Sequence, residues 1–343
     1  MAKNKGRKRS NKKQHSSNKQ HSNINKADGL KFEWGAAEPV NDIADLLDVL
    51  YDPFQDVYSP PISPKGLDAL TRKNSTHRRC INFKVNQMAI CFEQTGIVSL
   101  RDFRRAAHEL ETFGNCYFEK IFNRAGNMTR MIHVPALNMR RKKDGGFKLL
   151  RKDENHIKYQ AHEMMMASHY DTGQSIYGVP QWIGALQDVF LNSEATLFRR
   201  RYYLNGSHLG YILYTNDPEI DPEVEKALRE KIAKGKGAGN FKSMYINIPN
   251  GDKDAVQIIP IGDISQKDEF ERVKRISADD IVVGHGVPAQ LAGMKPENVG
   301  GYGDIEKAGT WYRQSEVAAL VHPFEELNEF LPGNKHFKFD LTK

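Results

Sequence analysis

The stretch LNSEATLFRRRYYLNGSHLGYILYTND (191–217) closes a long amphipathic pattern. Traced back to Gln181, the residues Trp182, Leu186, Val189, Phe190, Leu197, Phe198 and Tyr202 recur at helical spacing. The pattern predicts one helix over Gln181–Leu204, stopped by Asn205-Gly206. Arg199, Arg200 and Arg201 sit near its C-terminal end, where cations complement the helix dipole. A solvated face is one reading of these arginines, and a phosphate or subunit contact is the other.

Downstream, Asp221-Pro222-Glu223 is a helix start, with Asp as N-cap, Pro at N1 and an acid in the first turn. The helix runs through Val224, Leu228 and Ile232 to Gly235, with Glu225 and Arg229 four residues apart. Its apolar stripe is too thin for a deeply buried helix and suits one that packs against neighbours in an assembly. Two strands are expected next, SMYINIP (243–249) and AVQIIPI (255–261), joined by the NGDKD turn. Ser265 then opens another amphipathic helix with Phe270, Val273 and Ile276 inward. The last helix is expected from about Asp304 to Leu331, kinked or split by Pro323.

Upstream, Ser99 caps SLRDFRRAAHELETFG, whose stripe is Leu100, Phe103, Ala107, Leu110 and Phe113 and whose stop is Gly114. Strand-like runs follow at 116–122, 128–135 and 146–151, separated by the turns RAGN and KDGG, so this part reads as α+β. Pro39–Leu50 reads as a short amphipathic helix, and YSPPISPKG (58–66) as a loop. The first 26 residues carry nine cations (Lys3, Lys5, Arg7, Lys8, Arg9, Lys12, Lys13, Lys19 and Lys26) and no acid, whereas the whole chain of 343 residues has a net charge of +7. The other 317 residues therefore sum to −2, and the basic balance belongs to a tail. That tail has too few apolar residues to offset its ordering entropy and is expected to be disordered. As a phosphate-binding arm its nine cations would give a log–log salt slope of about −8. A pro-segment, an assembly signal and a merely solvated tail are the other readings.

No apolar run reaches the ~18–20 residues of a bilayer span, and the charged N-terminus is no secretory signal. Three cysteines without CxxC spacing (Cys80, Cys91, Cys116) argue against a disulfide framework or a zinc ribbon and fit a reducing compartment. GKGAGN (235–240) lacks the Lys-Ser/Thr of a phosphate loop and lies at a helix end, where the dipole is wrong for anions. IVVGHGVPA (281–289) reads as a strand entering G-x-G-x-x-A at 284–289, a lookalike of a dinucleotide fingerprint without a βαβ repeat around it. HEMMM (162–166) lacks the second histidine of a zincin, so its methionines read as packing. His77, His108, His133, His208, His285 and His322 each stand alone in the sequence, and no nucleophile elbow or paired carboxylate emerges. The residues alone assign no catalytic, cofactor or metal site.

Several collinear strings carry a resemblance. They are 191–217 itself, FGNCYFEKIFNRAG (113–126), YGVPQWIGAL (177–186), GKGAGNFKSMYINIPNGDKDAVQIIPI (235–261) and VPAQLAGMKPENVGGYGD (287–304). SPPISPKGL (59–67) and HPFEELNEFL (322–331) fit the two ends. With these strings the chain resembles the bacteriophage portal proteins of the PBSX/Q type, from contractile-tailed phages, over roughly Gly35 to Phe339. The resemblance implies an α+β portal fold assembled as a ring, a dodecamer by the family's usual count. Laid on this chain, it gives a basic tail at 1–27, a wing at 28–220, a first stem segment at 221–236 and a clip at 237–264. It places the second stem segment at 265–287, a tunnel loop at 288–303, and a wing helix with the C-terminal segment at 304–343. A crown would be short or absent. A stem helix of ~14 residues spans roughly 20 Å.

The implied role is the channel through which double-stranded DNA enters and leaves the capsid, with no chemistry of its own and no cofactor. Implied partners are further copies of the chain, double-stranded DNA, the terminase large subunit, the major capsid protein and scaffold, and head-completion or tail connector proteins, with no membrane. The implied location is the virion vertex, with the host cytoplasm during assembly. Lys295, Asn298, Gly300, Gly301 and Tyr302 would face the DNA in the tunnel loop. Lys236, Asn240, Lys242, Asn250 and Lys253, with Lys234, would lie near the clip and its docking surfaces, the lysines facing DNA or acidic partners or being merely solvated. Two alternatives stay open on the residues: a nucleic-acid-binding protein acting through its tail, and a nucleotide-binding enzyme using 284–289.

Overall fold

The computed structural model describes residues 50–153, 155–204, 211–215, 221–224, 226–227, 230, 244–247, 256–260, 266–294 and 304–342. The basic tail and positions 39–49 of the expected first helix lie outside them. The described chain opens on a short hairpin, β1 (Tyr51–Asp52) with β2 (Val57–Tyr58). Two helices follow, the first beginning inside the loop expected at 58–66 and the second in a stretch for which the sequence pattern predicts no element. In α1 (Pro64–Lys73), Ser63 caps and Pro64 occupies the first turn; the Ser63 hydroxyl accepts the Gly66 N–H at 3.4 Å. In α2 (Ser75–Cys91), the Asn74 side chain accepts the His77 N–H at 2.9 Å. The pattern of α2 hid it, because its buried face carries His77 and Lys84 while Ile90 is exposed.

After β3 (Phe92–Glu93), the helix α3 (Leu100–Phe113) forms as the sequence predicts. Ser99 accepts the Asp102 N–H at 3.1 Å, and Gly114 ends the helix at φ 76°. A Cβ at Gly114 would lie 2.5 Å from the Val179 carbonyl carbon, so both the left-handed backbone and the close approach require glycine. The chain then builds a sheet in the order β5-β4-β9, from β4 (Asn115–Phe122), β5 (Met128–Val134) and β9 (Met164–Ser168), antiparallel throughout. Between β5 and β9 lies a second antiparallel sheet of β6 (Met139–Arg141), β7 (Phe147–Leu149) and β8 (Ile157–Tyr159). Side chains alternate across the first sheet. Cys116, Phe118, Met131, Met165 and Ala167 face the main core, while Tyr117, Val134 and Met164 face the second sheet. The methionines of 162–166 are packing residues on a strand, as expected. All three cysteines are buried in the main core and pack there as small apolar residues.

The 181–204 helix is present as a 3₁₀ turn (Gln181–Ala185) leading into α4 (Leu186–Leu204). The expected strands at 243–249 and 255–261 are β11 (Met244–Asn247) and β12 (Val256–Pro260), but they are not neighbours. β10 (Tyr211–Thr215) stands between them, parallel to β11 and antiparallel to β12. Of the expected helix from Asp221, residues 222–224, 226–227 and 230 are helical, and Asp221 accepts the Glu223 N–H at 2.9 Å.

The helix expected from Ser265 is α5 (Gln266–Gly284). It corrects the reading of 281–289: Ile281 to Gly284 are the last turn of a helix, not a strand. Ile281 and Val282 are apolar because that turn is buried, and the nucleotide-loop alternative loses its geometry. Helical residues then run from α6 (Ile305–Tyr312) through a π turn (Arg313–Val317) to α7 (Ala318–Glu325) and a 3₁₀ turn (Glu326–Phe330). Pro323 does not split this run; α7 passes through it, and the irregular turns lie on either side. Leu320, Val321 and Phe324, all buried in the main core, hold the turn that Pro323 deprives of one hydrogen bond. β13 (Lys338–Phe339) finally pairs with β3 and covers the stacked rings of Phe92 and Phe103, 4.2 Å apart.

Candidate functional site: the frame around residues 295–303

Lys295, Asn298, Gly300, Gly301 and Tyr302 lie outside the described residues, as do Lys236, Asn240, Lys242, Asn250 and Lys253 and the tail residues Lys3, Lys5, Arg7, Lys8, Arg9, Lys12 and Lys13. What the structure gives is the scaffold from which 295–303 departs and to which it returns. On the departing side, α5 ends against the 3₁₀ turn at 181–185. A Cβ on Gly284 would come within 2.3 Å of Ala185 Cβ, so the approach needs glycine. Gly286, at φ 64°, reverses the chain, and the Val287 N–H donates to the Val282 carbonyl at 3.1 Å. Residues 288–294 are a compact turn: the Ala292 N–H reaches the Pro288 carbonyl at 3.0 Å and the Met294 N–H the Ala289 carbonyl at 2.9 Å. Ala289, Leu291, Ala292 and Met294 pack against the main core. On the returning side, Asp304 caps α6 and accepts the Lys307 N–H at 3.0 Å, which holds its carboxyl below the usual range. Both ends of 295–303 are thus seated on ordered helical turns.

Beneath the departing end lies a buried polar cluster that joins five parts of the chain. His77 Nδ1 and His285 Nε2 are 2.9 Å apart, although 208 positions separate them in sequence. Trp182 lies edge-on to the His77 ring at 4.2 Å and stacks with His285 at 6.0 Å. Burial pushes both imidazoles down, with Lys84 adding to the effect, His77 to about 4 and His285 to about 2. Both rings are neutral at neutral pH, one donating its N–H to the other. The indole N–H of Trp182 donates to the Glu111 carbonyl at 2.8 Å. The Glu111 carboxylate meets Lys84 at 3.1 Å and His169 at 3.3 Å. Burial alone would raise this carboxyl, but Lys84 and His169 outweigh it and hold it at about 2. The sequence made His77 and His285 solitary; the fold pairs them.

A second polar seam fixes the path of α5. The Asn74 amide donates to the Val189 carbonyl and to Asn192 Oδ1, each at 3.1 Å. The Asn192 amide donates to the Lys274 carbonyl and to Ser277 Oγ, each at 2.9 Å. The Lys274 ammonium returns to Asn192 Oδ1 at 3.1 Å and also bonds Thr196. Phe198 and Phe270 meet above this seam at 4.6 Å. These bonds set the register of α5 against α4 and of both against the start of α2. Neither Asn74 nor Asn192 carried a signal in the sequence, since a buried asparagine looks like any other until its partners are known.

The chemistry of this arrangement is mechanical. Two neutral imidazoles, a closed lysine–glutamate pair and saturated asparagines hold helices at fixed angles. Among the described residues no three His, Cys, Asp or Glu side chains are grouped to hold a metal ion, and no helix is long and apolar enough to cross a membrane.

The family described as Phage portal protein matches residues 100–343. The chain is 36% identical to the probable portal protein of Haemophilus phage HP1 over 80% of this chain and 82% of that protein. It is 34% identical to the probable portal protein of Escherichia phage P2 over 90% of each chain. Its fold is similar to that of a chain in the neck of a native gene transfer agent particle solved with C12 symmetry, with a TM-score of 0.58 at 15% identity. That likeness covers 82% of this chain and 85% of the other.

Proposed function

The chain belongs to the phage portal protein family, and on that premise we propose that its copies close into a dodecameric ring at one capsid vertex, whose bore conducts double-stranded DNA inward during packaging and outward at ejection. The observation that carries this reading is the frame of 295–303, held at Met294 and Asp304 by a core built for position, not for chemistry. In this reading the tunnel loop expected at 288–303 is reduced to 295–303, because 288–294 form a turn packed on the main core, and 295–303 faces the bore. Lys295 is its one fixed cation, and Asn298, Gly300, Gly301 and Tyr302 present small or neutral groups to passing phosphates. The body's charge of −2 outside the tail suits a conduit, because tight neutralisation of phosphates would oppose sliding.

We assign 28–220 to a wing, the helix from Asp221 and α5 to a stem, and β11 and β12 to a clip, whose sheet the wing strand β10 completes. Lys236, Asn240, Lys242, Asn250 and Lys253 then stand where the terminase large subunit docks, and afterwards the head-completion and tail connector proteins. The major capsid protein and scaffold would meet the wing during assembly in the host cytoplasm. The chain itself makes and breaks no bonds in this account. Negative-stain microscopy of the purified protein tests it: uniform rings with an axial hole wide enough for a duplex are expected. A monomer at every concentration overturns it.

A further inference from the structure

The described surface carries two features of opposite charge that the frame of 295–303 does not use. The first is a groove between α2 and α3, lined by the exposed guanidinium groups of Arg79, Arg101, Arg104 and Arg105, with Phe83 and Val85 among its lining residues. Asp102, between Arg101 and Arg104 in sequence, is buried and already engaged by Ser99 at 2.8 Å and Arg105 at 3.5 Å. Arginine at every cationic position, with no lysine, favours planar pairing with carboxylates. The second feature is the end of the α7 run, where Glu325, Glu326 and Glu329 are exposed and Phe330 is 70% exposed beside them. Glu325 and Glu329 make no ion pair among the described residues, and Glu326 meets only His322, at 3.4 Å.

The two features lie on different elements that pack on one sheet. The helix α3 packs on β4 and β5, and its Glu109 bonds His133 of β5 at 2.7 Å. The turn Glu326–Phe330 packs on β9. Two unlike patches that complement each other between copies make a head-to-tail contact, which forms a ring where the rotation closes. We propose that the arginine groove of one copy receives the acidic 325–330 segment of the next copy around the ring, with Phe330 entering between the guanidinium groups toward Phe83. This inference rests on the ring proposed above and names the surfaces that make it.

Charge reversal tests it. R79E/R101E/R104E reverses the groove, and E325R/E326R/E329R reverses the segment. All six side chains are exposed, so each variant is expected to keep the circular dichroism and melting temperature of the parent. Each variant alone is expected to need more than about tenfold higher concentration to form half its rings, read by analytical ultracentrifugation at low salt. Mixed in equal amounts, the two variants are expected to regain rings in which they alternate. One chain carrying all six reversals is expected to form rings by itself. Rings from the single variants at the parental concentration overturn the pairing, as does a mixture or a six-fold variant that stays apart. If the parent chain itself forms no rings, it is the ring reading that fails.

Discussion

Helix α2 is buried by unlike material on two sides. Toward α3 and α7 it offers Cys80, Ile81, Val85 and Met88 to a core that includes Phe103, Leu110, Leu320 and Phe324. Toward α4 and α5 it offers His77, and its cap Asn74, to His285, Trp182 and Asn192. Lys84 lies between, paired with Glu111. The apolar side is held by burial and close packing, which have no bond direction. The polar side adds direction, because each bond has a donor, an acceptor and a length. The main core therefore supplies stability, and the polar seam fixes the angle at which α5 delivers the chain to 295–303.

That contrast can be broken at its joint. Replacing Lys84 by Met leaves the Glu111 carboxylate buried without its cation and is expected to cost about 4 kcal/mol by urea denaturation. Pairing it with Glu111→Leu should recover most of that loss. A cost confined to the first variant identifies desolvation as the cause, whereas equal costs would show that the pair is packing. On the apolar side, Leu110→Ala is expected to cost about 3 kcal/mol, with no change in the spectroscopic environment of Trp182.

Acid separates the two sides next. Below pH 6.5 the unfolded imidazoles take up protons that folded His77, held at about 4, and His285, at about 2, refuse. Stability present above pH 6.5 is therefore lost as pH falls, toward 4 for His77 and toward 2 for His285, by about 2 kcal/mol for each ring at pH 5. Glu111, held at about 2, keeps its contribution until pH falls through the range from 4.5 to 2. The double variant His77→Phe with His285→Leu is expected to flatten melting temperature between pH 6.5 and 5 by calorimetry. An unchanged acid slope would place the titration elsewhere.

Smaller effects sharpen the comparison. Asn192→Ala removes the donors to Lys274 and Ser277 and is expected to cost about 2 kcal/mol. It should raise amide hydrogen exchange in α5 more than in α3. Ser99→Ala, which removes the cap of α3 and the hydroxyl's bond to the Asp102 carboxylate, is expected to cost about 1 kcal/mol and to leave exchange in α5 unchanged.

Helix α3 shows what can be read from sequence. Ser99, the stripe through Leu110, and Gly114 are local signals, and each acts within a few residues of where it stands. The strands β4 and β5 and the helix α4 are legible for the same reason. The helix α2 was missed because its buried face is chosen by distant partners: Lys84 is inside only because Glu111 is there, and His77 only because His285 is. The strand order β11-β10-β12 was equally hidden, since a turn between two strands says nothing about a third inserted between them. The opposite error occurred at 281–284, where an apolar run of four is the same whether strand or helix end buries it.

By itself the sequence determined the capped helices, the alternating strands, the charged tail and the family to which the long strings belong. These follow from short-range sterics, local hydrogen bonds and hydrophobic period. Only the tertiary structure decided that two solitary histidines would touch, that α5 would end against Ala185, and that guanidinium groups from two helices would share a groove. Such pairings join residues up to 208 positions apart. Their energies come from desolvation and contact geometry, which exist only after the chain has closed on itself.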